Sequence, residues 1–147
     1  MDKGIYYLVF ENPGCTIRVG ALGALTFRAG WHIYVGSALG SGGLQRLRRH
    51  ILLARLRDKQ PKWHVDYLLT SSCFSLVYAS YAVTVDRMEC RLACELNEGS
   101  IPKFGCSDCS CSSHLLFRQH DPKEEILAAF RELQLALVIK TIINPQV

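Results

Sequence analysis

Trp31-His32-Ile33-Tyr34-Val35-Gly36-Ser37-Ala38-Leu39-Gly40-Ser41-Gly42-Gly43-Leu44-Gln45-Arg46-Leu47-Arg48-Arg49-His50 is the stretch on which the reading of this chain turns. Its apolar run at residues 33–35, bounded by Gly30 and Gly36, predicts a short buried strand. Residues 36–43 form a loop of small side chains with nothing larger than Leu39. From Leu44 the period changes from 2 to 3.6. Leu44, Leu47, Ile51 and Ala54 fall on one helical face, and Arg46, His50 and Arg57 share another. A strand therefore ends in a glycine-rich turn that carries an arginine and a histidine onto one helix flank. A guanidinium beside an imidazole suits holding a phosphate and moving a proton near it. Glycines ahead of a helix can also cradle a phosphate on free N–H groups, although no Lys-Ser/Thr pair follows as a P-loop requires. Taken alone, this window is better read as a strand–loop–helix with a solvated basic face.

Working outward, residues 4–10 are apolar on both faces, as a central strand is. Alternation sends Tyr6, Leu8 and Phe10 one way and Ile5, Tyr7 and Val9 the other. Asn12-Pro13-Gly14 is a turn, and residues 15–20 and 25–30 read as two short strands joined around Gly23. Downstream, Pro61 breaks the chain before a short helix over residues 62–69. Residues 74–85 predict a strand at the sheet edge and residues 115–117 a final strand. Asp121-Pro122-Lys123-Glu124 starts a C-terminal helix over about 121–138, with Ile126, Phe130, Leu133 and Leu137 as its buried stripe. Residues 140–147 carry no signal. The expected fold is α+β, a small antiparallel-centred sheet flanked by helices, in a single domain spanning residues 1–147 with a hairpin at about 11–30.

At 147 residues the chain can bury a core without covalent staples. No apolar run reaches the length of a membrane span, and Met-Asp-Lys-Gly-Ile lacks a signal-peptide pattern, so a cytoplasmic protein with no membrane partner is expected. Seven unevenly spaced cysteines do not suit a secreted disulfide scaffold. The net charge of +4 conceals an asymmetry: residues 1–64 hold ten Lys/Arg against three Asp/Glu, and the remainder holds seven against ten. The glycine loop and the run Arg46, Arg48, Arg49, Arg55, Arg57, Lys59, Lys62 all lie in the basic part, which points to a polyanionic partner.

Three later segments carry possible chemistry. His64 and Asp66 stand beside Trp63 and Tyr67, where a packing and capping role is the preferred reading over a catalytic one. Asp86-x-x-Glu89 matches a helix capping box. On a wheel, however, Glu89 lies among Leu92, Ala93 and Leu96, and a carboxylate on an apolar face is costly unless paired or bound to a cation. Cys106, Cys109, Cys111 and His114 offer zinc four ligands. No second Cys-x-x-Cys supports them, and buried thiols in a turn are the preferred reading.

Gly4-Ile5-Tyr6 followed by Tyr34-Val35-Gly36 resembles the pair of tripeptides that names the GIY-YIG nuclease superfamily. The longer hairpin between them, Trp63-His64-Val65-Asp66-Tyr67-Leu68 and the cysteine-bearing loop resemble one branch of it. The resemblance covers the first two-thirds of the chain. It implies one divalent cation, Mg²⁺ or Mn²⁺, held by Glu89 at the start of a helix. It implies Arg46 neutralising the phosphate, Tyr6 and Tyr34 flanking the attacking water with one as general base, and His50 taking or relaying a proton. Gly36 would let the backbone approach the phosphate, and Ser37 stands where some relatives have lysine. With these, Arg48, Arg49, Arg55 and Arg57 make up the expected substrate-binding set. The asparagine that braces the site in many relatives, after a Pro-x-Tyr, is absent at the corresponding place after Pro102-Lys103-Phe104; Ser107 or Asp108 would have to substitute.

The implied activity is a metal-dependent endonuclease acting on DNA in preference to RNA, in a repair setting. Its rivals are a nucleic-acid-binding module that keeps the site without turnover, and a zinc-stabilised interaction domain built on the cysteine loop.

Overall fold

The computed structural model describes residues 2–88, 91–93, 101, 104 and 114–141. The first strand, β1 (Gly4–Asn12), has no charged side chain before Glu11 and is buried over residues 4–10. Such a strand needs neighbours on both edges and cover on both faces. It has both. One edge pairs antiparallel with β4 (Gly30–Ala38), from Gly4 opposite Ala38 to Asn12 opposite Gly30. The other pairs antiparallel with β5 (Ser75–Val83), with a register shift between Val9 and Phe10. β6 (Leu115–Arg118) pairs with β4, and β7 (Val138–Thr141) pairs with β5. The order is β6-β4-β1-β5-β7 with every pairing antiparallel, so the fold is α+β. Between β1 and β4, β2 (Cys15–Arg18) and β3 (Ala24–Phe27) form a separate hairpin through a 3-10 turn at Gly20–Leu22.

The alternation of β1 sorts the core into two layers. Tyr6, Leu8 and Phe10 pack with Leu44, Leu47 and Leu53 around α1 (Gln45–Leu56), and with Val65, Leu68 and Leu69 of α2 (His64–Leu69). Ile5, Tyr7 and Val9 face the other way, against Leu92 and against Ile126, Ala129 and Phe130 of α3 (Lys123–Glu132). Each fully buried Leu, Ile or Phe contributes roughly 1.5–3 kcal/mol, so both helical layers are held mainly by these side chains. Among the described residues no helix is long and apolar enough to cross a membrane.

Several elements differ from the sequence expectation. β4 runs through nine residues instead of three, because its pairing with β1 carries extended backbone across Gly36 to Ala38. The strand expected at the sheet edge, β5, is interior, since β7 covers its outer side. β7 lies mostly in residues without a period signal, and with it β6 is no longer the last strand. The C-terminal helix expected over about 121–138 ends at Glu132. There Gln134 turns left-handed (φ 59°), and Gln134 N and Leu135 N donate to the carbonyls of Arg131 and Phe130. That pair of bonds closes a helix in the manner usually given to glycine. At its start the Asp121 carboxylate accepts from Lys123 N at 3.1 Å, as expected of a cap. Arg57 lies just beyond α1 (φ 49°), not on the flank of Arg46.

Candidate active site

Tyr6 stands opposite Gly36 in the β1–β4 pairing, on the face covered by α1. A Cβ at Gly36 would lie 2.5 Å from both Cζ and the hydroxyl oxygen of Tyr6. Glycine therefore leaves the space in which the phenol lies across the neighbouring strand. The ring reaches α1, where its hydroxyl is 2.8 Å from His50 Nε2 and the ring centroids are 5.5 Å apart. His50 is 1% exposed, on the inward side of α1 with Leu47 and Leu53. The expectation of a solvated flank shared with Arg46 and Arg57 is corrected here. Residues 47, 50 and 53 recur every three positions, and Tyr6 supplies the polar partner that an imidazole buried there needs.

Behind His50 lies Asp66, also 1% exposed. Its Oδ2 accepts from Lys62 N at 2.9 Å and from Trp63 N at 3.1 Å, which fastens the start of α2. Its Oδ1 is 3.9 Å from His50 Nδ1, beyond hydrogen-bond length but within ion-pair range. Burial pushes the His50 imidazole down to about 4; Asp66 opposes that, and Arg49 and Arg46 reinforce it. The ring is thus neutral near neutral pH and carries one N–H. A carboxylate facing Nδ1 favours the proton there, leaving Nε2 to accept from the Tyr6 hydroxyl. The Tyr6 hydroxyl thus donates to His50 Nε2, with Asp66 facing the opposite ring nitrogen.

The cations lie outside this pair. Arg46 NH1 donates to the Ser37 carbonyl at 3.0 Å, which ties α1 to the end of β4. Its guanidinium carbon is 5.0 Å from the Trp63 ring centroid, and that of Arg49 is 4.2 Å away. The Arg49 guanidinium is also 3.6 Å from Asp66 Oδ2. Trp63 is 41% exposed and meets His50 edge-on, with ring centroids 5.7 Å apart. Two guanidiniums stacked on one indole next to a proton-accepting pair form a surface suited to a phosphate diester.

A family described as a domain of unknown function, DUF123, matches residues 5–135, from β1 to the turn after α3. The chain belongs to the DUF123 family. No curated protein and no solved structure matches it.

In this DUF123 chain the fold brings Tyr6, Gly36, Ser37, Arg46, Arg49 and His50 together, with the Tyr6 ring filling the space at Gly36 that was expected to admit a phosphate. Tyr34 is on the same face but opposite Leu8, half-buried, with its ring 6.2 Å from that of Phe104. His64 packs on the same Phe104 at 5.4 Å. Arg48, Arg55 and Arg57 are exposed and stand apart, Arg48 beside a different groove with Asp2, Ile51 and Tyr81. Glu89, Cys106, Cys109 and Cys111 lie outside the described residues, as do Ser107 and Asp108. His114 is buried, and its carbonyl accepts from Val35 N at 2.9 Å.

Asp66 and Trp63 are the two residues beside Tyr6 and His50 that sequence reading did not assign to the candidate site. The spacing Trp63-x-x-Asp66 gives the cap, yet nothing local indicates that the capped carboxylate faces His50.

For a cation, Asp66 is unsuited, being sealed from solvent and already engaged by two backbone N–H groups and Arg49. Among the described residues no group of three or more His, Cys, Asp or Glu could hold a metal.

Proposed function

We propose that this chain is a divalent-metal-dependent endonuclease that hydrolyses DNA phosphodiester bonds, with repair as its setting, a reading drawn from its resemblance to GIY-YIG nucleases. The observation that carries the reading is the 2.8 Å contact between Tyr6 and a neutral, buried His50, with Asp66 behind it and Arg46 beside it. Hydrolysis needs a base for the attacking water and compensation of charge on the phosphate. The attacking water gives a proton to Tyr6 as the Tyr6 proton moves to His50 Nε2 and the water oxygen bonds to phosphorus; His50 then releases that proton to solvent, which restores the pair. Asp66 offsets the charge on His50. Arg46 donates to the non-bridging oxygens, and the leaving oxygen is protonated by solvent. A divalent cation held by Glu89 would supply further charge neutralisation at the phosphate.

One observation favours a second reading, a nucleic-acid-binding module without turnover. Tyr6 is 2% exposed, so substrate meets its hydroxyl only if the cover above it gives way. The experiment is a cleavage panel of flapped, nicked, branched and abasic DNA with Mg²⁺ or Mn²⁺. Cation-dependent cleavage that collapses in a folded Glu89→Gln protein supports the nuclease. Binding without cleavage of any substrate overturns it in favour of the module.

A further inference from the structure

Beside the Tyr6–His50 pair, a cleft of approximately 450 Å³ opens between the second half of α1 and the chain that leads into α2. Its apolar wall is Leu52, Leu53 and Leu56, of which Leu52 is 41% and Leu56 62% exposed. Its rim carries Arg49, Lys59 and Lys62 beside one carboxylate, Asp58. Neither lysine has an ion-pair partner among the described residues, and Arg49 Nε is buried with no acceptor. Arg49 also stacks on Trp63, so the cleft and the exposed indole share one guanidinium. Asp66 lines the inner end, which puts the cleft within one side chain of His50.

We propose that this cleft takes an unpaired nucleobase of the bound strand, and that the substrate class is therefore nucleic acid with a single-stranded segment. The inference rests on the nuclease reading for its partner. An apolar wall under a mainly cationic rim matches a base attached to phosphates: leucines take the ring faces, and Arg49, Lys59 and Lys62 take the flanking phosphates. The volume is within the range of small-ligand pockets. A base inside a duplex is paired and stacked, and cannot enter without being extruded.

The test measures fluorescence anisotropy in EDTA, with one labelled sequence presented as a single strand, as a flap and as a full duplex. Leu52→Gln/Leu56→Gln removes the apolar wall at exposed positions without changing charge, and Leu56→Gln alone is the milder form. Wild type is expected to bind single strand and flap more tightly than duplex. The double variant should lose at least about fivefold on the single strand while duplex affinity stays within about twofold. Equal losses on all three forms, or none, overturn the proposal. Cleavage of the same substrates with Mg²⁺ separates the two readings. Selective binding without cleavage keeps the cleft and removes the nuclease. Cleavage of duplex and flap alike, unaffected by the double variant, keeps the nuclease and removes the cleft.

Discussion

Acid should unfold this protein through two neutral histidines, and His32 isolates the effect because it takes no part in the site. Its ring lies 5.4 Å from that of Phe27, 5.5 Å from Phe74 and 5.3 Å from Phe117. Neither nitrogen has a hydrogen-bond partner among the described residues. Burial alone pushes the imidazole down to about 4, and His50 is also pushed to about 4. In the unfolded chain both titrate near ~6.5. A folded-state pKa below the unfolded one means stability that is fully present above ~6.5 and lost as pH falls toward ~4, because the unfolded chain binds the protons first. A depression of about 2.5 units corresponds to roughly 3 kcal/mol for each histidine, a large share of a typical domain stability of about 5–15 kcal/mol. Near pH ~5.5 the two together should give a slope of about 2 kcal/mol per pH unit. Urea unfolding followed by tryptophan fluorescence, repeated from about pH 7.5 to about pH 5, measures it. His32→Phe keeps an aromatic ring in the box and should remove about half of that slope. A His32→Phe protein with the wild-type slope would refute the assignment.

Gly36→Ala should destabilise the fold by about 1–3 kcal/mol, the range for forcing an extra methyl into packed space. The added carbon meets the Tyr6 ring, so the variant should also lose cleavage beyond what its melting temperature explains. Asp66→Asn should cost about 1–3 kcal/mol, since one buried acceptor of two backbone N–H groups becomes an amide. A wild-type denaturation midpoint would contradict that cap. Neutralising Arg48, Arg55 and Arg57 together should flatten the salt dependence of DNA binding by up to ~3 units of log–log slope. A slope unmoved by the triple change would put the polyanion elsewhere on the surface.

Much of the sheet was legible because its signals are local. The two apolar faces of β1 mark a central strand, the turn around Gly23 marks the hairpin, and the period change at Leu44 marks α1. β7 escaped because four residues with an exposed Val138 carry no alternation of their own, and they are ordered by pairing with β5. The helix end at Gln134 escaped because glutamine is an uncommon residue in a left-handed cap. At the site, Tyr6, Gly36 and Arg46 were readable from the tripeptides and the helical period. The burial of His50 was not, since a wheel gives its angle on α1 but not the phenol that comes to meet it. For the same reason Asp66 read as a cap alone: its second neighbour is reached through the packing of α2 on α1.

The central claim is that Tyr6, His50 and Arg46 form one hydrolytic site. Single-turnover cleavage of a flapped DNA with Mg²⁺ tests it most directly, with wild type, Tyr6→Phe and Arg46→Ala compared at matched folding and saturating protein. Arg46→Ala should lose roughly 10²–10³ in rate, as for removal of one preorganised charge-stabilising donor, with a smaller loss of affinity. Tyr6→Phe should lose its cleavage while binding DNA as wild type does. Wild-type cleavage rates in Tyr6→Phe, or a wild-type protein that binds the flap and never cuts it, would contradict the account.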